Sequence, residues 1–124
     1  MDSRFASSWL KVDRAKHHIN ELNIRIAAYN ERKPHRLVVE QDPQGSNHLW
    51  TIRIREAIPE DLPLLIGDAI HNLRASIDHL IYRSVVLNRH TPTTMTAFPF
   101  WGERETLDAA IKRRHVADAG ADVV

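Results

Sequence analysis

The chain contains no cysteine in 124 residues, which excludes disulfides, thiolate nucleophiles and cysteine zinc sites. It also lacks a long apolar run. No stretch approaches the roughly 20 residues of a membrane span. The N-terminal segment MDSRFASSWLKVDRAKHH has no apolar core of signal-peptide length. Retention in the cytoplasm, away from the membrane, is therefore expected. Several catalytic signatures are missing as well. There is no G-x-G-x-x-G or Walker loop for phosphates, no H-E-x-x-H for zinc, and no G-x-S-x-G elbow for a serine nucleophile. No motif calls for a cofactor. Internal repeats and long linkers are also absent.

What remains is ordinary globular composition, 43% hydrophobic and 27% charged, in a chain the length of one domain. The net charge of +1 points to no particular partner. Up to Arg36, however, eight Lys or Arg face four acids. Such a segment is either a solvated helix face or a surface for phosphates.

Phe5, Trp9, Val12, Ala15, Ile19, Leu22, Ile26 and Tyr29 recur at steps of three and four, predicting one long amphipathic helix. Asp2 or Ser3 is placed to cap it, and Pro34 stops it. A β-hairpin insert is expected at about 36–56. Leu37–Val39 form a β-branched run and Asp42–Asn47 are dense in turn formers. Trp50, Ile52 and Ile54 then alternate with polar residues. Because a lone hairpin is marginal in water, those three are expected to pack on the helices. A second long helix starts near Pro63 and ends near Leu87, with Asn88 as its cap. His90–Gly102, containing AFPF, reads as an apolar loop over a core edge. Glu103–His115 reads as a short third helix, and 116–124 as a frayed tail.

The fold class is thus mainly α: one domain over 1–115, with two long antiparallel helices joined by a hairpin. Such a pair does not close a core alone. The rest is expected from a partner copy or from chain beyond residue 124. Trp9, Trp50 and Trp101 are read as core or edge packing, His17 and His18 as solvated. Gly67 is read as permitting close helix approach.

The second helix carries the chemistry. At about 100° per residue, Leu65, Ile66, Ala69, Ile70, Leu73, Ile77, Leu80 and Ile81 share one wide face. Asp68, His71, Asn72, Ala75, Asp78, His79 and Tyr82 share the opposite arc, with Arg74 at its margin. That arc has no Lys and no Glu. Asp, Asn and His are weak helix formers, costing on the order of 1–2 kcal/mol in total here, so something should offset them.

Three readings compete. In the first, the arc is a polar seam fixing how helices pack, with Arg74 and Asp78 paired across one turn. In the second it binds a metal through Asp68, His71 and His79, joined by Asp78 and by His17 or His18 from the first helix. In the third it cleaves RNA. A neutral histidine can move a ribose 2′-hydroxyl proton, and an arginine can hold the phosphate. Arg74 and His79 lie about 140° apart on the helix, so they converge only by bending, at a helix end, or across a two-fold seam.

Arg74 and His79 form an R-x4-H pattern, and in this the helix resembles the HEPN superfamily, helical-bundle proteins common in bacterial defence and toxin–antitoxin systems. The resemblance implies a metal-independent endoribonuclease acting as a homodimer, its site built at the dimer seam. Arg74 would then bind phosphate, His79 act as general acid/base and Asp78 orient the site. His71, Asn72 and Tyr82 would contact RNA. At the position after the arginine, where many members carry a polar residue, this chain has Ala75. WLKVDRAKHHINEL, RLVVEQD, IGDAIHNLRASIDHLIY and AFPF together resemble an uncharacterised bacterial family with an IGD-x-x-HNLR-x-x-x-DHL signature. That likeness spans about Trp9 to Phe100. It implies no activity, and it implies further helix after the present end.

Overall fold

A computed structural model describes residues 3–45 and 47–120. Two long helices dominate it: α1, Ala6–Glu31, and α2, Asp61–Leu87. Between them strands β1, His35–Gln41, and β2, His48–Ile54, pair antiparallel. A short helix α3, Leu107–Arg113, and a 3-10 turn at Ala117–Ala119 follow. Among the described residues no helix is long and apolar enough to cross a membrane.

The local stops follow the chemistry. A 3-10 turn, Ser3–Phe5, leads into α1, whose N-cap Phe5 makes no side-chain cap bond; the Ser3 side chain lies outside the described part of the chain. Asp2 lies outside the described residues. Lys33 takes a left-handed φ of 52° at the end of α1, and buried Pro34 prevents continuation. At the end of α2, Asn88 is the C-cap and Arg89 is left-handed at φ 63°. Thr106 caps α3, its Oγ1 accepting from the Ala109 N–H at 3.3 Å. In the hairpin turn, Asp42 accepts from the Gly45 N–H at 2.7 Å, and Gly45 supplies the φ of 76°. Ser46 lies outside the described residues.

α1 and α2 run antiparallel. Arg25 near the end of α1 pairs with Asp61 at the start of α2, and the Arg83 Nε–H donates to the Arg4 carbonyl at the other end, 3.0 Å. Their seam follows alternating steps of three and four: Leu62, Leu65, Ala69, Asn72 and Ser76 on α2 are buried, against Ser8 and Ala15 on α1. That is the spacing of left-handed, near-parallel helix packing. The seam therefore differs from the wheel reading. Asn72 and Ser76 point inward, whereas Ile66, Ile70, Leu73 and Leu80 are 38–60% exposed. The apolar arc is simply wider than one partner helix can cover.

Four further expectations change. The end of the chain is not frayed over 116–120. Val116 and Ala119 are 1% and 2% exposed, and they form a core cluster with Ile81 and Val85 of α2. Phe98 and Ile111 pack against that cluster. Residues 121–124 lie outside the described residues. The hairpin does not pack on the helices: Trp50, Ile52 and Ile54 are 68%, 67% and 76% exposed. Trp9 and Trp101 are also exposed, so none of the three tryptophans is core. Gly67 permits no close approach, since a Cβ there would meet nothing within 4 Å.

Candidate functional site

The polar arc of α2 divides into three groups once its neighbours are in place. The first holds the AFPF loop. Asp78 Oδ1 accepts from the Phe98 N–H at 2.8 Å. The Arg74 guanidinium lies over the Phe100 ring at 4.6 Å, and Phe98 and Phe100 contact each other at 4.7 Å with a 56° tilt. From the other side an Arg113 NH2 group donates to the Phe100 carbonyl at 3.3 Å. Asp78 and Arg74 therefore each hold a different part of one loop, and they do not pair with each other as the spacing predicted. Arg113 is itself gripped by Glu105, whose hydrogen bonds to it hold that carboxyl below the usual glutamate range.

The second group faces the helix seam or open solvent. Asn72 is buried, and its Nδ2 donates to the Asp68 carbonyl one turn back, 2.8 Å. The bond stays within α2, so Asn72 lies in the seam without tying the two helices together. Ser76 and Ser84 likewise bond back to Leu73 and Leu80 carbonyls. Asp68 and His71 are exposed. No group of three or more His, Asp or Glu side chains able to hold a metal occurs among the described residues, so Asp68, His71 and His79 do not converge. His17 is exposed as expected, and His18 is half-buried.

The third group lines a cleft. Asp78, His79, Tyr82 and Arg83 of α2 share a cavity of about 460 Å³ with Ser7 of α1 and Thr96 of the loop. His79 is half-buried, and neither it nor Tyr82 has a hydrogen-bond partner among the described residues. Both are free to meet a ligand. Asp78 reaches the cleft wall while one oxygen serves Phe98. Arg74 is not part of this cleft: it faces the Phe100 ring, as its position about 140° from His79 dictates. The cation beside His79 is Arg83, one helical turn on, which the motif-based reading missed. The wheel that grouped His79 with Tyr82 also brings Arg83 to that side. Ser7 and Thr96 come from distant segments and left no signal in the sequence.

A second feature is apolar. Phe5 at the N-cap of α1, Trp9 and Val12 within it, and Ile77 and Leu80 of α2 line a groove of about 250 Å³ on one side of the helix pair. Seven-residue steps carry the two rows onward through Ile19 and Ile26 on α1 and through Leu73 and Ile66 on α2. All four are exposed. Ile70, between them, is 60% exposed.

Compared with known proteins, the chain matches no family model, no curated protein and no solved structure.

Proposed function

We propose that this chain is an assembly module, a helical hairpin that completes its core against a second surface. The observation that supports this is the uncovered double row beside the α1–α2 seam. Seven large side chains, Trp9, Ile19, Ile26, Ile66, Ile70, Leu73 and Leu80, are 38–60% exposed there. They leave on the order of 600 Å² of apolar surface open, the upper end for a monomer. In a helical bundle such a row is covered by further helices. The interface is then carried by this flank rather than by the polar arc, whose members hold the AFPF loop, line the cleft, or lie in the helix seam or open solvent. The test is sedimentation of the full chain. Homo-oligomers are expected, and Ile70→Lys and Leu73→Lys should dissociate them while helical circular dichroism persists. A chain that is monomeric at 100 µM (about a thousandfold above a 0.1 µM Kd) refutes self-assembly.

A second reading is favoured by the cleft. His79, Tyr82 and Arg83 side by side fit metal-independent RNA cleavage of the HEPN type found in bacterial defence systems. Neutral His79 would take the ribose 2′-hydroxyl proton as that oxygen attacks phosphorus. Arg83 would hold the phosphate, and the 5′-oxygen would leave with a returned proton. Arg83 thus takes the place that the R-x4-H pattern assigned to Arg74. RNA cleavage should survive EDTA and vanish in His79→Ala and Arg83→Ala. Loss in Arg74→Ala as well would place the R-x4-H pair across a two-fold seam. RNA left intact by the folded wild type ends this reading.

A further inference from the structure

The β-hairpin carries Arg36, Glu40 and Arg53 on one face, with Val38, Leu49 and Thr51, and most of its large apolar side chains on the other. The register pairs Leu37 with Ile52, Val39 with Trp50 and His35 with Ile54. Directly opposed residues share a face, so Leu37, Val39, Trp50, Ile52 and Ile54 form one apolar patch. They are 46–76% exposed. The other face carries Arg36, Arg53 and Glu40, the last two paired, and its Val38, Glu40 and Thr51 are half-buried.

Only the base of the ribbon is anchored. The Arg55 and Glu56 N–H groups donate to the Pro34 carbonyl at 2.6 and 3.2 Å, the Tyr29 hydroxyl donates to the Glu56 carbonyl at 2.9 Å, and Arg32 clasps the Glu56 carboxylate. Beyond that base, nothing among the described residues covers the patch. A two-stranded ribbon with a naked apolar face is marginal in water.

We infer that this face docks against the same face of a second copy of the chain, ribbon on ribbon across a two-fold axis. Two features select a copy over another partner. The first is area. The five side chains leave on the order of 600 Å² open, so two copies bury on the order of 1,200 Å² in total, the lower end of a stable standard interface. The second is charge. A two-fold contact sets a patch against itself, so any charge in it meets its like. This face contains no Lys, Arg, Asp or Glu. The ribbon's Arg36, Arg53 and Glu40 lie on the other face, which stays solvated, while His35 and His48 flank the patch at its two ends. Ile58, itself 66% exposed, borders the patch with Tyr29 in a groove of about 670 Å³ that extends the contact at the ribbon's base.

This inference rests on the assembly reading but uses a different surface, so the two can fail separately. The experiment is analytical ultracentrifugation of the full chain and of Ile52→Lys, Trp50→Lys and Ile70→Lys. The two ribbon positions are solvent-exposed in the single chain, so their variants should keep wild-type helical circular dichroism. The ribbon variants are expected to weaken self-association at least a hundredfold. A linkage test uses the absence of native cysteine. Ile52→Cys should form a covalent dimer in high yield with a short bis-maleimide, and Arg36→Cys on the other face should not. Oligomers that persist in both ribbon variants but dissociate in Ile70→Lys overturn the ribbon interface and leave the helix flank as the assembly surface. A monomeric wild type overturns both. A monomeric wild type that co-sediments with anionic lipid vesicles, with binding lost in Ile52→Lys, assigns the face to a lipid surface instead.

Discussion

Val116 tests the least expected part of the fold. It sits in VADAG, a stretch with no periodicity, yet it is 1% exposed against Ile81, Val85 and Ala119. Val116→Ala removes two carbons' worth of buried apolar surface, about 1.6 kcal/mol of transfer free energy at 0.8 kcal/mol per methylene. The cavity left behind adds to that, so the loss should reach about 2 kcal/mol. For a chain of this size that corresponds to a Tm lowered by about 6–10 °C. The closing 3-10 turn is tied down besides. The Asn88 amide donates to the Ala119 carbonyl, and Gly120 holds φ 105°, ψ 156°, a region open to glycine alone. A chain ending at His115 would uncover one side of Ile81 and Val85, leaving Phe98 and Ile111 against them, and should lose more than the point variant. The assay is urea and thermal denaturation by circular dichroism at one fixed protein concentration, because assembly makes Tm concentration-dependent. If the segment opens locally before the helices melt, the loss is capped at the free energy of that opening. A Val116→Ala protein within about 0.5 kcal/mol of wild type, together with a fully stable truncated chain, would refute the packing of this segment.

Asp78→Ala should cost about 1.5–3 kcal/mol, because it removes a charged acceptor and strands the Phe98 N–H; faster proteolysis within 93–102 would report the freed loop, and unchanged stability would sink the anchoring role. Ser8→Ala should stabilise the chain slightly, since its buried Oγ has no hydrogen-bond partner among the described residues; a lower Tm would show that the hydroxyl is in use. Glu56 and Glu105 are held below the usual carboxylate range, each chiefly by the hydrogen bond from its arginine, Arg32 and Arg113. A depressed folded pKa stabilises at pH above the unfolded value, and the gain disappears as pH falls through the folded one. Glu56→Gln and Glu105→Gln should therefore lie slightly below wild type in Tm at pH 7 and converge with it only as the pH falls below the usual glutamate range. High salt should shrink the same difference, as both pairs are exposed; a gap that widens in acid contradicts the assignment.

The elements of this protein are legible in its sequence because each is written in neighbouring residues. The three-and-four steps from Phe5 to Tyr29 and the period-two run from Trp50 to Ile54 need no partner to be read. The same holds for Pro34 as a stop, Asn88 as a cap and the turn chemistry of Asp42 and Gly45. The candidate site was only half legible. The wheel brought Asp78, His79 and Tyr82 together, and they do share a cleft. It could not show that Arg74 is turned toward Phe100, twenty-six residues on, or that the cation beside His79 is Arg83.

Only the tertiary structure decided which part of each apolar surface is covered. Periodicity fixes which residues share a face, but burial depends on the width and position of whatever lies opposite. The apolar arc of α2 exceeds the reach of one helix, so α1 covers Leu62, Leu65 and Ala69 with Asn72 and Ser76 and leaves Ile66, Ile70 and Leu73 open. The ribbon's alternation likewise defined an apolar face and promised a floor beneath it. The described residues bring no floor, while Val116 and Ala119, in a stretch with no pattern of its own, find the core because α2 presents Ile81 and Val85 to them.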